Sequence, residues 1–88
     1  MSKYNVEFSA RASRQFLKLD AAAQKRLAPS IDALADDPRP TGVTTLKGSP
    51  GWHRLRVGVY RVVYAIEDDR LVVLVVKVGH RRDVYREL

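Results

Sequence analysis

Two segments of this chain carry the side chains that could do chemistry. The first is Trp52-His53-Arg54-Leu55-Arg56-Val57-Gly58-Val59-Tyr60-Arg61, the second Val78-Gly79-His80-Arg81-Arg82-Asp83-Val84-Tyr85. Together they hold five arginines, two histidines and two tyrosines among short apolar runs. Cations and aromatics interleaved on a sheet can grip a phosphate backbone and stack bases. Arg61 is the sharpest position. It lies inside an otherwise apolar run, where an arginine must reach solvent or a bound anion, and a phosphate accepts two parallel hydrogen bonds from its planar fork. Arg54 and Arg56 alternate with Leu55 and Val57, so they project from one face of one strand. Arg61 follows across a short connection at Gly58. Cross-strand neighbours lie about 5 Å apart, so three guanidiniums can converge there. The competing reading is a solvated basic face with acidic partners nearby. Against it, the acidic residues of this half, Glu67, Asp68 and Asp69, cluster at a distal turn.

Arg81 and Tyr85 are four apart and share a face if that segment is helical. A guanidinium beside a phenol can hold a phosphate and stack on a base. The competing role for Tyr85 is a C-terminal aromatic that plugs the core. His53 and His80 are candidates for proton transfer near neutral pH, although each alone also fits a surface histidine. Two histidines without cysteines or suitably spaced carboxylates are too few for a metal site, so no metal and no cofactor is expected. Leu46-Lys47-Gly48 lacks the remaining spacing of a phosphate-binding loop. No Ser-His-Asp arrangement or convincing carboxylate pair is present.

The elements that must position these residues can be read from periodicity. Tyr4 to Phe8 alternates as a half-buried strand. Ser9 can cap a short amphipathic helix whose stripe is Ala12, Phe16 and Leu19. Asp20 can cap a second helix, with Ala23, Leu27, Ile31 and Leu34 on one face. Pro29 interrupts it, and one kinked helix is preferred to a later start. Asp36-Asp37-Pro38-Arg39-Pro40 ends the helix, and residues 39–51 form a long loop. Three strands follow: His53 to Val57, Val59 to Ile66, and Leu71 to Val78, the last apolar enough to be covered on both faces. Residues 67–70 are a tight turn, and Arg81 to Tyr85 a short helical turn. The order is βααβββ plus that turn. It predicts an α+β fold: a small, mostly antiparallel, four-stranded sheet with both helices on one face. The other face is then free to work.

With 88 residues there is room for one domain, 1–88. A net charge of +6 and a pI near 10.1 favour an anionic partner: nucleic acid, acidic protein or membrane surface. There is no apolar run of the ~20 residues a membrane span needs, no cysteine, and no apolar segment after Met1-Ser2-Lys3-Tyr4. A cytoplasmic location is the expectation.

The chain resembles the RelE/ParE superfamily of toxins from type II toxin–antitoxin systems. The resemblance runs through Tyr4-Asn5-Val6-Glu7-Phe8-Ser9, Leu17-Lys18-Leu19, Asp37-Pro38, Leu46-Lys47-Gly48 and the two segments quoted first. It implies the family's compact fold and, for the RelE-like branch, a metal-independent endoribonuclease that cuts mRNA on the ribosome. The ribose 2′-hydroxyl attacks the adjacent phosphate and the 5′-oxygen leaves. The resemblance assigns catalysis to Arg54, Arg61, Arg81 and Tyr85, and RNA binding to Arg56, Lys47, His80 and Arg82. It also implies an acidic cognate antitoxin as partner, beside ribosome and mRNA. Arginines stand at 54 and 56 where the best-known members carry lysines. Arginine stays protonated, so the proton acceptor would be His80, Tyr85, His53 or a group outside the chain. The alternatives on the same scaffold are a ParE-like toxin that poisons DNA gyrase and a non-catalytic antitoxin-binding module.

Overall fold

Ser9 and Asp20 set where the two helices begin. The Ser9 hydroxyl accepts the backbone N–H of Ala12 at 3.0 Å, and the Asp20 carboxylate that of Ala23 at 2.8 Å. Each cap satisfies an amide that the first helical turn leaves without a partner. They open α1 (Ala10–Lys18) and α2 (Ala21–Asp32), after a first strand β1 (Asn5–Phe8). The structure, a computed structural model, describes residues 3–46 and 51–82. One helix runs through Pro29. The proline deprives the Lys25 carbonyl of its helical partner, but both residues are exposed, so water can replace that bond. A 3-10 turn, Ala33–Ala35, closes the helical layer and buries Leu34.

The remaining strands are β2 (Thr44–Thr45), β3 (Trp52–Val57), β4 (Tyr60–Glu67) and β5 (Val72–His80). Their order across the sheet is β1-β5-β4-β3-β2. Among the described residues only β1 with β5 pairs parallel; the other pairings are antiparallel. The α+β class is as the sequence predicts, with five strands rather than four. The added strand is two threonines inside the expected loop, paired to His53 and Arg54. A two-residue strand is too short to leave a periodicity. β5 begins at Val72 rather than Leu71, because Leu71 adopts φ 54° to close the preceding turn. Arg81 and Arg82 enter a helical conformation. The rest of the expected C-terminal turn, 83–85, lies outside the described residues.

The core forms between one sheet face and the helices. Val62, Tyr64, Val73, Val75 and Val78 meet Ala12, Leu27, Ile31 and Leu34. Burying each larger side chain contributes about 1.5–3 kcal/mol. The Tyr64 hydroxyl donates to the Pro38 carbonyl at 2.7 Å.

A β-bulge decides which side chains reach the other face. Val63 opposes Lys77 but Tyr64 opposes Val75, so Val76 is an extra residue in β5. Strict alternation would put Lys77 on the core face with Val73 and Val75. The extra residue reverses the parity: Val78 turns inward and Lys77 turns to the helix-free side. The N–H of Val78 is then taken by the Gln15 side-chain oxygen at 2.9 Å.

Candidate functional site

The strand register builds the helix-free face row by row. Arg56 stands directly opposite Arg61, which stands opposite Gly79. In the next row are Arg54, Val63 and Lys77; in the third, Trp52, Ala65 and Leu74. The sequence expectation that Arg54, Arg56 and Arg61 converge is met by this pairing. Directly opposed like charges destabilise a sheet by up to about 1 kcal/mol, so the Arg56–Arg61 pair works against folding. Gly79 offers no side chain beside Arg61.

Arg61 is only 4% exposed. It solves its burial differently from either route expected of it. One terminal nitrogen donates to the carbonyls of Gly58 and Tyr60, both at 2.9 Å. The guanidinium thus braces the β3–β4 turn from its own strand. Its Nε is buried and makes no hydrogen bond among the described residues. Gly58 adopts φ +60°, and a Cβ there would meet the Arg26 Nη2 at 2.8 Å. The turn is therefore also flanked by a cation from α2.

Arg56 is exposed and Arg54 half-buried. Arg81 and Arg82, both exposed, follow β5 closely, and the Arg81 N–H donates to the Val59 carbonyl at 2.8 Å. That bond ties the end of the second segment to the β3–β4 turn. Lys47 and Tyr85 lie outside the described residues. The two histidines do not join the arginines. His53 pairs with Tyr64 on the helix side, ring centroids 5.6 Å apart. Burial, with Arg39 nearby, lowers its pKa, so it stays neutral. His80 pairs with Tyr60 at the sheet's tip, 6.3 Å edge to face, and its Nδ1 accepts the Arg82 N–H at 3.3 Å. Val78 shares its parity, so His80 also belongs to the helix side.

Sequence reasoning missed two residues of this face. Trp52 has the same parity as Arg54 and Arg56, and the alternation itself was a sufficient signal. Lys77 sits 3% exposed beside Val63. Only the bulge puts it there, and nothing in the alternation reveals a bulge.

The acids gather at the opposite end. The Asp68 carboxylate receives Arg39 at 2.9 and 3.3 Å and the Tyr4 hydroxyl at 2.6 Å. The hydrogen bond from Arg39, then that from Tyr4, hold its pKa down at about 2. Glu67 pairs with Arg70 at 3.0 Å. On the helix side, Phe8, Phe16, Leu17 and Ile31 line a groove of about 300 Å³. It is apolar, with Asp32 at its wall, and does not suit an anion.

The chain matches, over residues 6–85, the model of the family described as ParE toxin of type II toxin–antitoxin system. It is 32% identical to the mRNA interferase toxin RelE of Escherichia coli K12, with 96% of this chain and 92% of that protein covered. Among solved structures it superposes on the intact E. coli RelBE toxin–antitoxin complex with TM-score 0.76 and 30% identity, covering 88% of this chain and 95% of that one. It superposes on the RelBE2 toxin–antitoxin complex of Mycobacterium tuberculosis with TM-score 0.80 and 27% identity, covering 90% and 99%.

Proposed function

The chain belongs to the ParE toxin family of type II toxin–antitoxin systems, in its RelE-like branch, and from that premise we propose that it is an mRNA interferase neutralised by an acidic cognate antitoxin. The observation that carries the reading is the Arg56–Arg61 pair, with Arg54 on the same helix-free face. Such a cluster stabilises the charge that builds on a phosphate during attack by the 2′-hydroxyl. Arg61 supplies a braced, buried donor. Arg54 and Arg56 hold the backbone, and Arg81 assists the leaving 5′-oxygen. Arg82 adds RNA contact at the same end. Tyr85 and Lys47 keep the catalytic and RNA-binding roles that the resemblance gives them. Tyr85 is the group of this chain that we assign to proton transfer. Ribosome and mRNA are the substrate assembly, met in the cytoplasm.

The test is to express the toxin alone and map the 5′ ends of cellular mRNA. Cuts within translated codons, in frame, are expected. Intact mRNA with a DNA-damage response and filamentation would instead identify a gyrase poison, and an inert chain a binding module.

A further inference from the structure

We propose that the helix side of the β3–β4 turn is a second RNA-binding site. In it Arg26 holds a phosphate and the Tyr60–His80 ring pair takes a base, so the strand leaving the arginine face passes around the tip of the sheet. The proposal rests on the mRNA-interferase reading and extends its RNA contact to the opposite side of the sheet. Arg26 is exposed on α2, and a Cβ on Gly58 would lie 2.8 Å from its Nη2 and 3.0 Å from its Cζ. The guanidinium therefore lies against the backbone of the turn, in space that a glycine leaves open. Arg61 donates to the carbonyl of the same Gly58. Two guanidiniums thus meet one turn, Arg61 from the catalytic strand and Arg26 from the helix layer. Arg39 and Arg70 are held by acids, whereas Arg26 makes no ion pair or hydrogen bond among the described residues. Such a guanidinium presents a planar fork of donors that matches a phosphate.

The rings belong to the same tip. Tyr60 alternates with Arg61, so it shares the helix side with Val62 and Tyr64 and packs on the rim of the core. Its ring meets His80 edge to face, 6.3 Å between centroids, and both residues are only half-buried. Tyr4 and Tyr64 place their hydroxyls on Asp68 and on the Pro38 carbonyl. The Tyr60 hydroxyl finds no acceptor among the described residues. The His80 Nδ1 accepts the Arg82 N–H, which leaves the proton of the neutral ring on Nε2 as a donor. A half-open ring pair with a hydroxyl and an N–H to spare offers a base both a π-surface and partners for its polar edge. Val59, 46% exposed in the turn, adds apolar surface, and its carbonyl receives the Arg81 N–H. That bond seats Arg81 and Arg82 at the same tip. Cations that track a backbone beside aromatics that stack bases are the means by which single strands are held.

The test compares wild type with Arg26→Gln on a twelve-nucleotide single-stranded RNA that carries 4-thiouridine. Photocrosslinking with mass mapping of tryptic peptides locates the base, and the salt dependence of affinity counts the phosphates held. The expected wild-type crosslink falls on the Tyr60 ring, in the peptide Val57-Gly58-Val59-Tyr60-Arg61. Arg26→Gln should lower its yield and weaken binding roughly 5-fold, as for loss of an exposed ion pair. Its log–log salt slope should be shallower by about 0.7, the value for one phosphate contact on a single strand. Circular dichroism and thermal unfolding check the fold of the variant. A merely structural Arg26 would lower Tm and leave the slope unchanged, which overturns the proposal, as does a variant that fails to fold. A folded variant with wild-type slope and affinity overturns it too. So does a wild type that cuts mRNA but does not bind this RNA, or whose crosslinks avoid Tyr60 and His80. If wild type neither binds RNA nor cuts mRNA, it is the interferase reading that falls.

Discussion

Replacing Arg61 by alanine should remove two things that different assays can separate. The first is structural. Two hydrogen bonds from a charged donor to the Gly58 and Tyr60 carbonyls disappear. Bonds to charged groups contribute about 1.5–3 kcal/mol each, but Gly58 is exposed, and water will replace the bond to its carbonyl. Loss of the guanidinium also relieves the repulsion from Arg56, up to about 1 kcal/mol. The net cost is about 1–2 kcal/mol, a fall in Tm of roughly 5–15 °C for a domain of this size. The second loss is catalytic. Removing one pre-set donor aimed at developing charge costs about 10²–10³ in rate. Cleavage is therefore measured well below the variant's Tm, on protein shown by circular dichroism to be folded. Arg61→Lys keeps the charge without the fork, and should recover RNA affinity more than rate. An Arg61→Ala protein with wild-type Tm would refute the brace. One that is folded and cuts at the wild-type rate would refute the catalytic assignment, whatever its stability.

Tyr64 links the core to alkaline pH. Burial, and secondarily Asp37, push its pKa up to about 12, so the fold favours the neutral phenol. Its contribution is complete below pH 10 and is lost as pH rises from 10 through about 12, by up to about 2.7 kcal/mol. Denaturation midpoints of Tyr64→Phe should stay flatter than wild type across that window, from a starting stability lower by about 1 kcal/mol for the lost bond to Pro38; parallel curves would exclude Tyr64 as the titrating group. Trp52→Ala removes an aromatic surface from the arginine face and should weaken single-stranded RNA binding roughly 10- to 100-fold by loss of stacking, with the salt slope unchanged. An altered slope with unaltered affinity would count against stacking. Deleting Val76 should leave a folded protein. The sequence Val75-Lys77-Val78 then alternates without a bulge and keeps each side chain on its present face. Global unfolding on deletion would show that the bulge itself, not the parity it sets, is required.

The elements with strong local signals were legible. Ser9 and Asp20 announced both helix starts, and the stripe Ala23, Leu27, Ile31, Leu34 identified the buried face. The alternation of Arg54, Leu55, Arg56 and Val57 put two arginines outside and two apolar residues inward, as found. The features that stayed hidden depend on pairing between distant segments. Thr44 and Thr45 form a strand only because β3 offers them a free edge. The partners of Arg61 are backbone carbonyls, which no sequence pattern announces. The place of His53 follows from the alternation of its strand. Its neighbours in sequence are the arginines, but a pleated strand sends adjacent residues to opposite faces, and His53 lies against Tyr64 instead.

That separation bears on how the reaction can run. Arg54, Arg56 and Arg61 cannot give up protons, and the two histidines are carried to the helix side by the register. What the sheet concentrates on its helix-free face is positive charge. Asp68 and Glu67 are engaged at the other end by Arg39, Tyr4 and Arg70. A molecule arranged in this way has little means of general-base catalysis from the sheet and a large means of electrostatic stabilisation, which is usually the greater term. Its folded state also carries the repulsion of the directly opposed Arg56 and Arg61. The same basic face therefore recommends two classes of partner: the phosphates of RNA, and the acidic side chains of an antitoxin. Both should bind more weakly as salt rises.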